Sequence, residues 1–273
     1  MGADVPRSTL LAVASVGVEI TGNVGLIELR QPPHNFLTPA LVEGVADALE
    51  GFDADPAVRA AVLAADGRSF CAGAHFGPAG DDSDDVTPPP EGLTNTDRLY
   101  AAAARMCAVA TPFVAAVHGP AIGGGLGLAM TANLRVTCPE ARFSANFTKL
   151  GIHQGFGLSV TLPEQVGPSK AALVLLTGRR FNGEEAVALG LADVCVPAER
   201  VRDAALELAA EIAENAPLAT AAVNRTLRAG LAERVRSATR HEAAEQLRLA
   251  STADAREGIV AVSERRPGRF ECR

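Results

Sequence analysis

The groups in this chain best placed to do chemistry are backbone amides rather than side chains. Gly123, Gly124 and Gly125 stand in a row within His118-Gly-Pro-Ala-Ile-Gly-Gly-Gly-Leu-Gly-Leu-Ala-Met130. An apolar run rich in β-branched residues, Phe113 to Val117, precedes them after Thr111-Pro112; apolar residues at helical spacing, Leu126, Leu128, Ala129, Met130 and Leu134, follow. The spacing predicts a buried strand, a glycine turn and a buried helix. Three residues without Cβ let a ligand lie directly against N–H groups, which the helix dipole makes better donors. The same glycines would equally serve tight packing of helix on strand. A second stretch of small residues, Phe70-Cys-Ala-Gly-Ala-His75, follows another predicted strand, Ala60 to Ala65, and a turn at Asp66-Gly67. Two such bends converging on one point would form an oxyanion hole, a pair of donors aimed at developing negative charge.

The elements that must hold these bends can be read in order. Leu10 to Ile20 and Val24 to Arg30 are strand-like runs joined by Thr21-Gly22-Asn23, a hairpin signal. Thr38-Pro39 supplies an N-cap and a proline at the first helical position, for a helix reaching about Phe52. Gly77 to Gly92 is rich in Asp and Pro and reads as a loop. Its Asp81-Asp-Ser-Asp-Asp85 lacks the glycine and distal Glu of a calcium loop, so it reads as a solvated charge run. Asp97 to Val109 is an Ala-rich helix. Past the glycine turn, Leu134 to Cys138 and Ala141 to Ala145 suggest short strands, Gly151 to Gly157 a turn and Pro168 to Leu176 a helix. Another helix starts at Asn182-Gly183, and Val194-Cys-Val196 reads as a buried strand. This alternation indicates the α/β class. From Glu199 the pattern is purely helical, over about 199–215, 217–229, 235–251 and 253–265.

Bulk properties narrow the function. A chain of 273 residues with 48% hydrophobic content can fill one large core, and with no Trp and one Tyr that core must be Ala, Val and Leu. A net charge of −7 argues against a nucleic-acid partner. The five cysteines, an odd number without C-x-x-C spacing, read as reduced thiols of a cytoplasmic protein. No apolar run reaches membrane-spanning length, so no membrane partner is expected. Neither a signal peptide nor a myristoylation site is indicated, since Pro6 stands where the latter needs Ser or Thr.

Phe70-Cys-Ala-Gly-Ala-His75 resembles the Phe-x-Ala-Gly-Ala-Asp signature of the crotonase (enoyl-CoA hydratase/isomerase) superfamily, and Pro112 to Met130 resembles its Pro-x-x-Ala-Ala-Val-x-Gly-x-x-x-Gly-Gly-Gly signature. The likeness continues through Ala141-Arg-Phe, Leu176-Thr-Gly and Gly190-Leu-Ala to Glu264-Arg-Arg-Pro-Gly-Arg-Phe270, covering about residues 10 to 270. The resemblance implies a ββα superhelix, or spiral core, over 1–198. It implies a helical C-terminal region, 199–273, that packs and oligomerises, in trimers or hexamers. It further implies an acyl-CoA thioester as substrate, with no cofactor beyond its CoA moiety and no metal. By motif position the oxyanion donors fall on Ala74 and Gly124. CoA would lie along the exit of the first hairpin and Ala72 to Ala74, with Arg30 at a phosphate, and Asn35-Phe36-Leu37 occupies the family's Asn-x-Leu position.

The same comparison removes the usual acids. Family hydratases use two glutamates, which fall here on Gly127 and Phe147; isomerases and a dehalogenase often carry an aspartate, which falls on Gly155. Neither Gly nor Phe can shuttle a proton. His153 and Gln154 lie in the turn that lines the family's acyl pocket, and a histidine suits proton transfer near neutral pH. His75 replaces the usual Asp beside the oxyanion hole. Tyr100 resembles tyrosines of some decarboxylases of the superfamily, although Leu99 and Met106 beside it favour a core position. His118 reads as structural, and Glu164 as a surface residue. Two readings follow. One is an acyl-CoA enzyme with unusual proton handling, whether isomerase, decarboxylase or thioester hydrolase. The other is a CoA-thioester-binding protein with little turnover.

Overall fold

A computed structural model describes residues 15–75 and 94–273. Strands β1 (Val16–Thr21) and β2 (Val24–Leu29) form the expected antiparallel hairpin. The earlier part of the first run and the Asp-rich segment 77–92 lie outside the described residues. Helix α1 (Pro39–Ala54) begins where its cap predicts, with Thr38 Oγ1 accepting the Leu41 N–H at 3.2 Å. Strand β3 (Ala60–Ala65) is buried throughout. Helix α2 (Asn95–Met106) opens with a reciprocal capping box between Thr94 and Asp97. Then come β4 (Phe113–Val117), β5 (Pro120–Ile122), α3 (Gly124–Met130), β6 (Leu134–Thr137) and β7 (Arg142–Ser144). A 3-10 turn at Asn146–Leu150 leads to α4 (Leu158–Val166), α5 (Pro168–Thr177), α6 (Gly183–Leu189) and β8 (Val194–Cys195). The tail is α7 (Val201–Glu214), α8 (Pro217–Leu227), α9 (Leu231–Ala250) and α10 (Ala253–Ser263).

The larger sheet has the order β1-β2-β3-β4-β6-β8 and is parallel from β2 onward; β5 and β7 form a second, parallel pair. Single bridges extend the small sheet, Cys71 to Ala121 on one side and Phe143 to Phe181 on the other. Each of β3, β4 and β6 therefore leaves the large sheet, passes through the small one at Cys71, β5 or β7, and returns by way of a helix. That is the ββα spiral of the crotonase fold. The large sheet is covered on both faces, as parallel sheets must be. Gly25 of β2 faces the Phe52 ring of α1, whereas Glu28, of opposite parity on the same strand, pairs with Arg202 of α7.

Four details depart from the sequence reading. Leu134 opens β6, as the expected strand over 134–138 requires, and is not also part of the helix after the glycines, because α3 stops at seven residues. Helix α4 was not foreseen; Gly157 before it and Pro163 inside it resemble loop punctuation. Val194 is not buried but 39% exposed, since β8 pairs only with β6 at the sheet edge. Helix α9 starts at Leu231, directly after Gly230, rather than at 235. The helical tail packs on its own chain: α7 against β2, β3, β4 and β6, α9 against α2 and α4, and α10 against the 146–150 turn.

Candidate active site

Both glycine-containing bends lie beyond the C-terminal ends of adjacent parallel strands, β3 and β4, the end where open α/β sheets hold ligands. They are joined to each other by backbone hydrogen bonds. Cys71 N–H donates to Pro120 O and Ile122 N–H to Cys71 O, each at 3.0 Å. Gly73 and Gly123 sit at φ of +81° and +57°, conformations that side chains resist. A Cβ on Gly73 would lie 2.5 Å from Ile122 O and 3.6 Å from Gly124 N, so the bends are in contact. Gly125 must also lack a side chain, because its Cβ would lie 2.1 Å from Cys71 O.

The segment before α1 braces the first bend. Buried Asn35 donates from Nδ2 to Asp66 O (2.7 Å) and Ser69 O (2.9 Å) and accepts Gln31 N–H (2.8 Å). Ala72 N–H donates to His34 O and Leu37 N–H to Gly73 O. The Ala74 and Gly124 amides are left without a protein acceptor among the described residues. Cys71, between the bends, is wholly buried, and that burial pushes its thiol up to about 12, so it stays protonated and inert.

Both amides belong to residues lining a cavity of about 800 Å³. Its floor is Leu37, Ala72 to Ala74 and Ile122 to Gly124. One wall comes from α2, with Thr94, Asp97 and Tyr100, and from α9, with Gln246 and Leu247. The rest of the lining is the 146–156 region with Arg180 and α10. Among the described residues, Asp97 is the one carboxylate of the lining and Arg180 the one cation. Asp97 is spent on its cap: Oδ2 accepts Thr94 N–H (2.8 Å) and Thr94 Oγ1–H (2.7 Å), which holds the carboxyl below its usual value. Among the described residues no cluster of three His, Cys, Asp or Glu could hold a metal ion.

The structure gathers some of the sequence candidates and disperses others. Ala72, Ala74, Gly124, Phe147 and Gly155 all line the cavity. Gly127 lies behind it, and a Cβ there would come within 2.7 Å of Phe156 Cβ. His153 is outside the lining; its Nδ1 pairs with Gln154 O (2.8 Å) and its ring meets His241 edge-on at 5.6 Å. Gln154 turns to Ser159 Oγ (3.1 Å). His75 is exposed and meets the Phe36 ring at a tilt of 59°, ring centroids 4.6 Å apart. Arg30 is also outside the lining, paired with Glu28 at 2.7 Å. His118 Nε2 pairs with Gly67 O, and Glu164 with Arg234 on the surface.

A polar set on α9 and α2 was only partly foreseen. A Cβ at position 155 would fall 2.0 Å from Tyr100 Oη and 2.7 Å from Gln246 Nε2, so these two groups already occupy the corner a side chain at 155 would enter. Tyr100 Oη donates to Gln246 Oε1 at 2.7 Å, and Gln246 Nε2 donates to His153 O at 3.0 Å. One turn earlier, fully buried Glu242 accepts Gly157 N–H (2.8 Å) and Ser159 N–H (3.0 Å) at the start of α4. The turn it clamps carries Phe156 at φ +61°, a strained position for a side chain of that size. The signal was present in the sequence: Val235, Thr239, Glu242 and Gln246 recur at 4, 3 and 4 residues, an inward stripe whose last members are polar.

Comparison with known proteins gives a consistent picture. The family model described as enoyl-CoA hydratase/isomerase matches residues 19–273. A provisionally named enoyl-CoA hydratase of Thermus thermophilus is 35% identical over 252 residues, 91% of this chain and 98% of that protein. The crystal structure of an enoyl-CoA hydratase/isomerase from Pseudoalteromonas atlantica superposes with a TM-score of 0.82 at 28% identity, over 94% of this chain and 100% of that one. A carnitinyl-CoA hydratase from Mycobacterium avium gives 0.80 at 32% identity, over 96% and 100%.

Proposed function

The chain belongs to the enoyl-CoA hydratase/isomerase family, and from that premise we propose that it is an acyl-CoA enzyme that holds a thioester oxyanion between the Ala74 and Gly124 amides. The observation that carries this reading is the pair of amides without a protein acceptor among the described residues, on two bonded bends that line one cavity. Donors fixed before the reaction cost no reorganisation when charge develops on the carbonyl oxygen. The thioester would enter along Ala72 to Ala74, its acyl group meeting Phe147, Leu150 and Phe156.

The reading departs from ordinary hydration. Gly127 and Phe147 stand where motif alignment puts the two hydratase glutamates, and Phe156 fills the space beside Gly127. Water would find no carboxylate base there. Proton handling moves from His153, whose ring faces His241, to Tyr100, whose hydroxyl lies at the Gly155 corner. We further place the protein in the cytoplasm as a homo-oligomer, with five unpaired cysteines and no helix among the described residues long and apolar enough to cross a membrane.

The test is a panel. Binding of acetyl-CoA is measured by calorimetry, and turnover of crotonyl-CoA and a 3-enoyl-CoA by absorbance. The reading expects acetyl-CoA to bind and crotonyl-CoA hydration to stay far below that of a two-glutamate hydratase. Hydration at ordinary hydratase rates would refute the proposed loss of the water-activating pair. Binding with no turnover of any thioester would favour the thioester-binding reading.

A further inference from the structure

Two adjacent arginines follow α5, and they are used differently. Arg179 lies over the Phe181 ring, 4.7 Å from its centroid. Arg180 lines the cavity and, among the described residues, makes no hydrogen bond, ion pair or ring contact. Asp97 does not neutralise it: that carboxylate is bound by Thr94, and no ion pair joins the two among the described residues. The backbone around Arg180 is nonetheless fixed. Gly178, at φ +52°, turns the chain out of α5, and its carbonyl accepts the Ser144 hydroxyl at 3.2 Å. Phe181 and Phe143 then exchange both N–H···O bonds at 2.9 Å. Ile122 pairs with Ser144 in the same small sheet, so residues 122, 144 and 180 stand in one row across it. Two strand spacings, about 10 Å, therefore separate the backbone of Arg180 from the end of β5, where the Gly123-Gly124 floor begins.

Resting on the oxyanion reading above, we propose that Arg180 selects the acyl group by pairing with a carboxylate at the end of the chain remote from the thioester, so that the substrate class is an ω-carboxyacyl thioester. The separation of Arg180 from the Gly124 amide leaves the acyl carbons to span the space between them, over Phe147, Leu150 and Phe156. The guanidinium is a planar fork of donors that matches the two oxygens of a carboxylate. An acyl chain on those apolar residues also displaces water from the cavity, which strengthens the pair. A chain of the same length ending in methyl groups would take water from the guanidinium and give it no partner in return. Selection thus comes from both the gain with one chain end and the penalty with the other.

The experiment is calorimetry on the full chain with acetyl-CoA and with succinyl-, glutaryl- and adipyl-CoA, each of the three set against the thioester in which an isopropyl group replaces the terminal carboxylate. The proposal expects at least one carboxylate to bind about tenfold or more tighter than its isopropyl counterpart, with the preference shrinking as salt is raised. In Arg180→Met the ratio should fall to about one, and in Arg180→Lys part of it should remain. Circular dichroism checks that both variants are folded, and the salt series on the wild-type protein needs neither. Acetyl-CoA binding with no carboxylate preference at any length overturns the proposal while sparing the oxyanion reading. A preference that survives in Arg180→Met, or ignores salt, overturns the role of Arg180. If Arg180→Met weakens acetyl-CoA and every other thioester by one common factor, the anion that Arg180 meets is a phosphate of CoA, and the proposal fails. Failure to bind any thioester overturns the underlying reading and the proposal with it.

Discussion

At the scale of single residues, the site is built from absences. Gly124 can be tested without disturbing the helix it begins, because a first helical position tolerates proline. Its Cβ would lie 2.4 Å from Leu37 Cδ1, the end of a flexible side chain. Gly124→Pro combined with Leu37→Ala therefore removes one N–H and relieves the clash. Turnover of whichever thioester the enzyme uses is expected to fall by about 100- to 1,000-fold, with the melting curve close to that of Leu37→Ala alone. An unchanged rate would mean that the amide carries no charge. This part of the site was legible because a backbone job leaves its mark in residue type: a Cβ would clash at 73 and 125, and the positive φ at 123 strains any side chain. The side chains were not legible in the same way. His153 belongs to the right turn, but its ring turns away to Gln154 O and His241. Tyr100 sits on an Ala-rich helix among Leu99 and Met106, and nothing local reveals that its hydroxyl reaches position 155, 55 residues away in sequence but adjacent in space.

At the scale of elements, α9 turns a helical tail into a wall of the cavity. Glu242 is the fastening, and its removal leaves two buried N–H groups without acceptors. Glu242→Ala is expected to lower unfolding free energy by about 2–4 kcal/mol in denaturant titration, and Glu242→Gln to recover part of it through its remaining carbonyl. Equal stability of all three proteins would show that the clamp is not needed. A second tie joins β2 to α7. Burial pushes the Glu28 carboxyl up, but hydrogen bonds from Arg30 and Arg202 outweigh it and hold the group below its usual value. A carboxyl with a lowered folded pKa stabilises above its unfolded value, and that stabilisation fades as pH falls through the folded one. Wild type should thus melt above Glu28→Gln at neutral pH, with the gap closing in acid; a gap that persists in acid would contradict this. Element types were the most legible level. Strands β3 and β4 lie where their apolar runs put them, because fully buried strands need unbroken hydrophobicity. Helix α4 was hidden because it starts at a glycine and contains a proline, and the exposure of β8, itself an expected strand, because an edge strand of two residues has the composition of a buried one.

At the scale of the whole molecule, α8 is the element that the single chain leaves unfinished. It has 11 residues, of which only Asn224 is buried, held by Asn133 and by the carbonyl of Ala110. Leu218, Val223 and Leu227 are 84%, 58% and 77% exposed. A helix this short is marginal in water unless an apolar face is covered. Val223 and Leu227 lie one turn apart, so they present a common face, and the proposed homo-oligomer would cover it with a second copy of the chain. Sequence alone left this open, because Ala- and Leu-rich helices look the same whether they pack within a chain or between chains. Sedimentation velocity of the wild-type protein is expected to give an oligomer. In the double variant Val223→Glu, Leu227→Glu, charges replace the common face, and the boundary should move toward the monomer while the circular dichroism spectrum is retained. A wild-type monomer, or an oligomer indifferent to both charges, would place the contact elsewhere and leave α8 to be stabilised by its own chain. Because α8 leads through Gly230 directly into α9, which carries Glu242 and Gln246, loss of assembly should also lower turnover in the double variant. Activity that survives in the monomer would show that the cavity wall stands without its neighbour.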